Sequence, residues 1–370
     1  MTKVGDFIGP RWRLTKKLRS DSGQGNTFLA VDDLKPDDST EYVVKLLKVQ
    51  DSKALARFEK EIKACLALQH PNIVKVIDSR YEDTSTPYLV TEYCAGGELT
   101  AEKIKDLSII ERLRMFESIC EAMAHAHGDG VIHRDIKPGN IFLKSPGLLI
   151  PIVGDFGLCF FKDDQNSARQ TAMSESMGNW QFGPPERSRR EEHPSGSFDV
   201  YQLGKLLYWA LSDGVILDRE YYDEPYFDLR KNGCDDALYL AYEVIAKSVV
   251  EDSGRRYQTA VKMLDDVKEL AMFAESNGRY LDCELPQSCV FCRVGAYRWQ
   301  VVPTIRDGRF DYRASRFDGL SFNLDSHDTN VSTYPIILFG RCRRCGNVQQ
   351  FRLDNEMNLS SDWKHLPSSK

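Results

Sequence analysis

The sequence predicts an α+β chain built as a small strand-rich lobe, a larger helical lobe and a small C-terminal β module. Short β-type runs separated by turn-formers fill the stretch up to Cys94; past the GGEL that follows, apolar residues recur at helical spacing. In the last quarter, two Cys-x-x-Cys pairs stand among further strand-like runs.

RWRLTKKLR, TFLAVDD and EYVVKLLKV read as the first strands, with SDSGQGN and DLKPDDST as the turns between them. SKALARFEKEIKACLAL carries Leu55, Phe58, Ile62 and Leu66 at helical spacing, and Pro71 stops this helix because proline cannot continue it. IVKVIDSRYED and TPYLVTEYC are two more strands. Ser108 and Glu111 make a capping box, the Ser side chain accepting an early backbone N–H while the Glu reaches back. Leu113, Phe116, Ile119 and Met123 then line one face up to His127. FDVYQLGKLLYWALS reads as a buried helix, and TAVKMLDDVKELAMF closes the region with the period of about 3.6 of an α-helix.

At 370 residues, with 42% apolar and 28% charged residues, the chain reads as globular, with room for two domains. No apolar run approaches the roughly 20 residues a membrane helix needs. MTKVGDFIGPRWRLTKK has no apolar stretch of signal-peptide type, so the expectation is a cytoplasmic protein with no membrane partner. From Cys283 onward, 12 Lys/Arg against 9 Asp/Glu leave +3; with −6 overall, the remainder carries −9. Cys65, Cys94, Cys120, Cys159 and Cys234 are scattered, as small core thiols in a reduced compartment are. Cys283, Cys289, Cys292, Cys342 and Cys345 crowd together and read as metal ligands. AESNGRYLDCE, from Ala274 to Glu284, looks like the connection between the two compositions.

VIHRDIKPGNIFL, from Val131 to Leu143, and the GDFGL that begins at Gly154 carry the chemistry. They set Asp135, Lys137, Asn140 and Asp155 on two neighbouring loops. Phosphoryl transfer needs such a set: a carboxylate to accept the hydrogen bond of an attacking hydroxyl, a cation to offset charge on the moving group, and an amide oxygen with a second carboxylate to hold magnesium. These segments resemble the catalytic and metal-binding loops of the eukaryotic-like protein kinases. The resemblance implies a bilobal protein-kinase fold, with a small β-rich N-lobe and a larger α-helical C-lobe. It assigns Asp135 as catalytic base, Lys137 to the transferring phosphoryl group, and Asn140 and Asp155 to Mg2+. A lysine at 137 looks like the Ser/Thr-directed branch, and GRRYQTA is similar to the bacterial type. His133 reads as a packed structural histidine, with Phe156 between the lobes.

The same resemblance covers the nucleotide site. LRSDSGQGNTFLA is similar to the glycine-rich loop that covers ATP, with Gly25 at its third glycine, Gly23 between, and Ser20 and Ser22 where the first two usually stand. Lys45 in YVVKLLK matches the lysine that pairs with the nucleotide phosphates, and Glu61 the helix glutamate that orients it. Thr27 replaces the usual valine and Val43 the usual alanine, giving a bulkier, more polar roof. TEYCAGGEL resembles the hinge, with Thr91 behind the pocket and backbone groups near Glu92 and Cys94 facing adenine.

GNWQFGPPE, Gly178 to Glu186, resembles the end of an activation segment. Glu186 is expected to pair with Arg256, and Asp199 to tie the catalytic loop down. Asn179 and Phe182 depart from the usual threonine and tyrosine. Thr171, Ser174 and Ser176 are regulatory phosphosite candidates that Arg134 would pair with, or else ordinary loop hydroxyls.

SCVFC and RCRRCGN supply Cys289, Cys292, Cys342 and Cys345, the ligand set of a closed four-thiolate Zn2+ site. AYRWQVVP, YPIILFGR and VQQFRL are strands around them, and the whole looks like a zinc-ribbon domain. The 49 residues between the pairs exceed the usual spacing, which leaves unrelated core thiols or a redox pair open; Cys283 and His327 are substitute ligands. Arg341, Arg343, Arg344 and Arg352 offer a contact for an acidic protein or nucleic acid, or form a solvated rim. The expected organisation is a kinase domain over residues 8–275, a linker over 276–284, a zinc-ribbon-like domain over 285–357 and a flexible tail over 358–370. The expected activity is Ser/Thr phosphorylation of a protein substrate by ATP. The alternative is a low-activity nucleotide-binding scaffold that signals through the ribbon, motivated by the altered glycine loop, Thr27 and Asn179.

Overall fold

A computed structural model describes residues 2–19, 25–47, 52–82, 86–156, 159–161, 181–186, 195–218, 221–223, 226–227, 229 and 236–275, and beyond these the backbone of eight strands between Tyr297 and Ser360. The chain divides into two compact units, Met1–Asp228 with Val244–Ala271, and Leu229–Glu243 with Met272–Lys370.

The first unit opens with β1 (Phe7–Ile8), β2 (Trp12–Arg19), β3 (Gly25–Asp32), β4 (Glu41–Leu47), β5 (Val76–Arg80) and β6 (Tyr88–Glu92). They pair antiparallel in the order β1-β2-β3-β4-β6-β5. Alternation along β4 sets the two faces. Tyr42, Val44 and Leu46 enter a core with Trp12, Leu14, Phe28, Ala30, Tyr88 and Val90. Lys45, in register with Leu89, has the opposite parity, and Leu89 packs with Phe58 and Ile62 of α1 (Ser52–Ala67). The inner face of α1 runs through Phe58, Glu61, Ile62 and Cys65, all buried at three- and four-residue steps. Leu66, assigned to that face from its spacing, is 49% exposed. A helix turned to face Glu61 inward carries position 66 off the seam.

The helical part holds α2 (Ala101–Ile104), α3 (Ile109–Gly128), α4 (Gly196–Leu211), α5 (Asp236–Ser248) and α6 (Ala260–Glu275). The capping box starts α3: Ser108 Oγ accepts from Glu111 N at 3.3 Å, and Glu111 Oε2 accepts from Ser108 N at 2.8 Å. Leu113, Phe116, Ile119 and Met123 are all buried. Every residue of α4 is buried, so it is the post around which this part packs. Gly204 lets α4 lie against Ser248, where a Cβ would collide with the serine's own. β7 (Gly97–Glu98) precedes α2, and between α3 and α4 run β8 (Val131–Ile132), β9 (Ile141–Leu143), β10 (Pro151–Val153) and β11 (Phe160–Phe161). The orders are β10-β9-β7 and β11-β8, and these short ladders fix both ends of the two loops that carry the motifs. α6 takes in Ala274 and Glu275, the first two residues of the stretch read as a connection.

The second unit contains β12 (Tyr297–Val301), β13 (Thr304–Arg306), β14 (Arg309–Asp311), β15 (Ser315–Phe317), β16 (Leu320–Phe322), β17 (Ile336–Cys342), β18 (Val348–Leu353) and β19 (Leu359–Ser360). β12-β17-β18-β19 form one antiparallel sheet, and β13-β14 and β15-β16 are separate pairs. β19 falls in the stretch read as a tail. Cys283, Cys289, Cys292, Cys345, Arg343, Arg344 and His327 lie outside the described residues, and of Cys342, Arg341 and Arg352 the backbone is described. Among the described residues, no group of three or more His, Cys, Asp or Glu could hold a metal, and no helix is long and apolar enough to cross a membrane.

Candidate active site

Lys45 and Glu61 meet because β4 and α1 each turn an otherwise apolar seam toward the other. Lys45 Nζ donates to Glu61 Oε1 at 2.6 Å and Oε2 at 2.8 Å, and stands 3.5 Å from Asp155 Oδ1. Burial alone would draw the Lys45 pKa down; the carboxylates of Glu61 and Asp155 overcome this and hold it above its ordinary value. The lysine is therefore a fixed cation at neutral pH.

The loop after β8 is held from below by α4. Asp199 accepts from the backbone N–H of His133 at 2.8 Å and of Arg134 at 2.7 Å, and its Oδ2 lies 2.8 Å from His127 Nε2. Ala260 N–H donates to His127 Nδ1 at 2.9 Å, which leaves the His127 proton on Nε2 for Asp199. Burial pushes the Asp199 carboxyl up, but His127 and the backbone donors outweigh that and hold it below the usual carboxylate range. Gln202 completes the support: its Oε1 accepts from Ile136 N at 3.0 Å and its Nε2 donates to Arg134 O at 3.2 Å. These bonds hold Arg134 at φ 71°, a left-handed conformation that costs a side-chain-bearing residue roughly 1–3 kcal/mol.

Within the loop, Asp135 Oδ2 accepts from Lys137 Nζ at 2.5 Å and from Asn140 Nδ2 at 2.9 Å, and Asn140 Nδ2 also donates to Asp135 O at 2.7 Å. The Asn140 amide nitrogen is thus taken up by Asp135, so the amide oxygen is what it offers a metal. Asp155 has φ 61°, and its side chain is 44% exposed in spite of its buried neighbours. Asn140 O accepts from Gly154 N at 3.0 Å, and His133 Nε2 lies 3.1 Å from Gly154 O, so the two loops are stitched together. The His133 and Phe156 rings pack tilted at 52°, with centroids 4.5 Å apart. His133 is a structural residue: its Nδ1 accepts from Asp135 N at 3.2 Å.

The roof and hinge follow from strand register. Thr27 pairs with Lys45 and Val43 with Thr91, while Gly25 opens β3; Gly23, Ser20 and Ser22 lie outside the described residues. Glu92 ends β6, and its N–H donates to Lys75 O at 3.0 Å. Cys94 O already accepts from Gly97 N at 2.9 Å. Burial, with Glu92 nearby, pushes the Cys94 thiol up to about 12, so it is a packing group and not a nucleophile.

Arg256 Nη1 and Nη2 donate to Glu186 Oε1 and Oε2 at 2.5 and 2.9 Å, a buried two-point pair over the ring of Tyr201. Thr171, Ser174, Ser176 and Asn179 lie outside the described residues. Three supporting residues went unread in the sequence: His127, Gln202 and Lys205, whose ammonium donates to Gln181 O. A signal for two of them was there, since Gln202 and Lys205 follow Asp199 at three-residue steps in an apolar helix.

Residues 18–261 match the protein kinase domain family. The chain is 28% identical over 277 residues to serine/threonine-protein kinase PrkC of Bacillus subtilis, covering 72% of this chain and 41% of that protein. It is 31% identical over 242 residues to serine/threonine-protein kinase PknB of Mycolicibacterium smegmatis, covering 60% of this chain and 38% of that protein. A probable serine/threonine-protein kinase PknB of Corynebacterium glutamicum is 28% identical over 289 residues, covering 73% and 44%. The chain thus spans less than half the length of these relatives.

Proposed function

The chain belongs to the protein kinase family, and on that premise we propose that it is a serine/threonine kinase, moving the γ-phosphoryl group of ATP to a protein hydroxyl. One observation carries the reading: Lys45, bonded to Glu61, comes within 3.5 Å of Asp155, so three distant stretches converge on one cleft. Asp135 accepts the hydrogen bond of the acceptor hydroxyl and takes its proton. Lys137, bonded to Asp135, offsets charge on the moving phosphoryl group. Lys45 holds the nucleotide phosphates, with Gly23 and Gly25 above them and backbone near Glu92 and Cys94 against adenine. The Asn140 oxygen and the Asp155 carboxylate are hard donors that fit Mg2+, which supplies charge neutralisation across the phosphates. The intact set of Lys45, Glu61, Asp135, Asn140 and Asp155 argues against an inert scaffold. ATP as donor and the buried free thiols Cys65, Cys94, Cys120 and Cys159 favour a cytoplasmic setting.

Incubation with γ-labelled ATP, Mg2+ and casein tests this. Phosphoserine and phosphothreonine are the expected products; label confined to tyrosine, or none, contradicts it. Thr171, Ser174 and Ser176 are proposed as sites labelled on the kinase itself, and an active enzyme whose segment stays unmodified by mass spectrometry removes that part.

Cys289, Cys292, Cys342 and Cys345 are proposed to hold one structural Zn2+. The strand register supports it. Tyr297, the first residue of β12, pairs with Cys342, and Arg341 pairs with Val348, the first residue of β18, at that same end of the sheet. In sequence, Cys292 stands five residues before Tyr297 and Cys345 three before Val348, within chain reach of that end. Four thiolates suit zinc in a closed tetrahedral site. Atomic emission of the purified protein should give one zinc per chain, lost on Cys342→Ser; a zinc-free, folded protein excludes it.

A further inference from the structure

The polar stripe of α4 has three members. Asp199, Gln202 and Lys205 stand at three-residue steps on a helix whose remaining side chains are mostly apolar. The first two fix the loop that holds Asp135, through the main chain of His133, Arg134 and Ile136. The third reaches a different segment. Lys205, 4% exposed, donates to the main-chain carbonyl of Gln181 and lies 5.7 Å from the Tyr201 ring. Gln181 itself is exposed, while Phe182 beside it is buried, so Lys205 holds the segment where Gln181 meets solvent. Five residues on, Glu186 is clamped by Arg256.

We propose that Lys205 is a positioning residue for the protein substrate: it ties the segment at Gln181 to the same rigid helix that sets Asp135, and so fixes where the acceptor chain lies relative to the base. The inference rests on the kinase reading above. A lysine is an expensive choice for this position. Burial pulls its pKa down to about 8 against the pull of Asp218, so the folded protein holds the ammonium at a cost in stability. An apolar side chain would fill the space without that cost, as the neighbouring Leu203, Leu206 and Leu207, all buried, do in this helix. Groups retained against stability are found where they serve a site. A charge-assisted bond to one carbonyl is what the position gains.

Lys205→Met keeps length and burial but cannot donate; Lys205→Arg keeps a buried donor. Steady-state transfer of γ-labelled phosphate to casein is measured with each, varying casein and ATP separately. Lys205→Met should raise the KM for casein about tenfold, the effect of losing one charge-assisted hydrogen bond, with the KM for ATP within twofold of wild type. Lys205→Arg should recover much of the loss. An unchanged KM for casein in Lys205→Met overturns the proposal. So does a parallel rise in both KM values, or a Lys205→Met that fails to fold while Lys205→Arg folds without recovering casein affinity; each marks a general structural tie. A wild type that transfers no phosphate removes the kinase reading, and this inference with it.

Discussion

Lys45 and Arg256 are both cations beside buried carboxylates, yet they do different work. Lys45 sits between Glu61 and Asp155 and offers a compact point charge on a long stem. Arg256 is locked: two guanidinium nitrogens on Glu186, further bonds to Val250 O and Glu251 O, and its plane over Tyr201. Its side chain is 0% exposed, so removing it strands the Glu186 charge in the interior. Arg256→Ala should therefore cost about 3–5 kcal/mol in urea unfolding, and Arg256→Lys should recover less than half of it. A loss under about 1 kcal/mol would contradict that account of the pair. Lys45, Glu61, Asp135, Asn140, Asp155, Glu186 and Arg256 were legible through the resemblance of their motifs to those of the protein kinases. His127 was not. A histidine on an apolar helix face reads as core, and only the folded chain brings it to Asp199, 72 residues away.

Among the elements, the strands and capped helices were legible where a period repeats often enough to be read. β4 alternates over seven residues, β2 and β3 are eight-residue β-type runs between turn-formers, and Ser108 with Glu111 announces α3. β1 spans two residues, too few for any period, and was not foreseen. The inner face of α1 was misread by one position because Leu66 is the larger apolar residue and Cys65 the one that packs. Hydrophobicity ranked them one way; the need to aim Glu61 at Lys45 decided it the other way. The left-handed backbone at Arg134 and Asp155 was hidden for a related reason. Glycine usually marks such positions, and here the bonds from Asp199 and Gln202 hold Arg134 without it.

Across the whole molecule, the sequence divides by composition as well as by motif: an acidic first part with the transfer machinery, and a mildly basic last part with the paired cysteines. The first unit brings every described member of the transfer set together, and the second is a β-rich body in which Cys342 ends β17 opposite Tyr297, the first residue of β12. What each unit gains from being in one chain depends on whether the first one turns over. Phosphoryl transfer to casein by Asp135→Asn, with ATP binding followed on the same sample, is the most direct measurement of that. Asp135→Asn should bind ATP as wild type does and transfer phosphate about 10²–10⁴-fold more slowly, the range expected for a lost general base. A variant that transfers at the wild-type rate would mean that Asp135 is not the base and that the cleft does other chemistry.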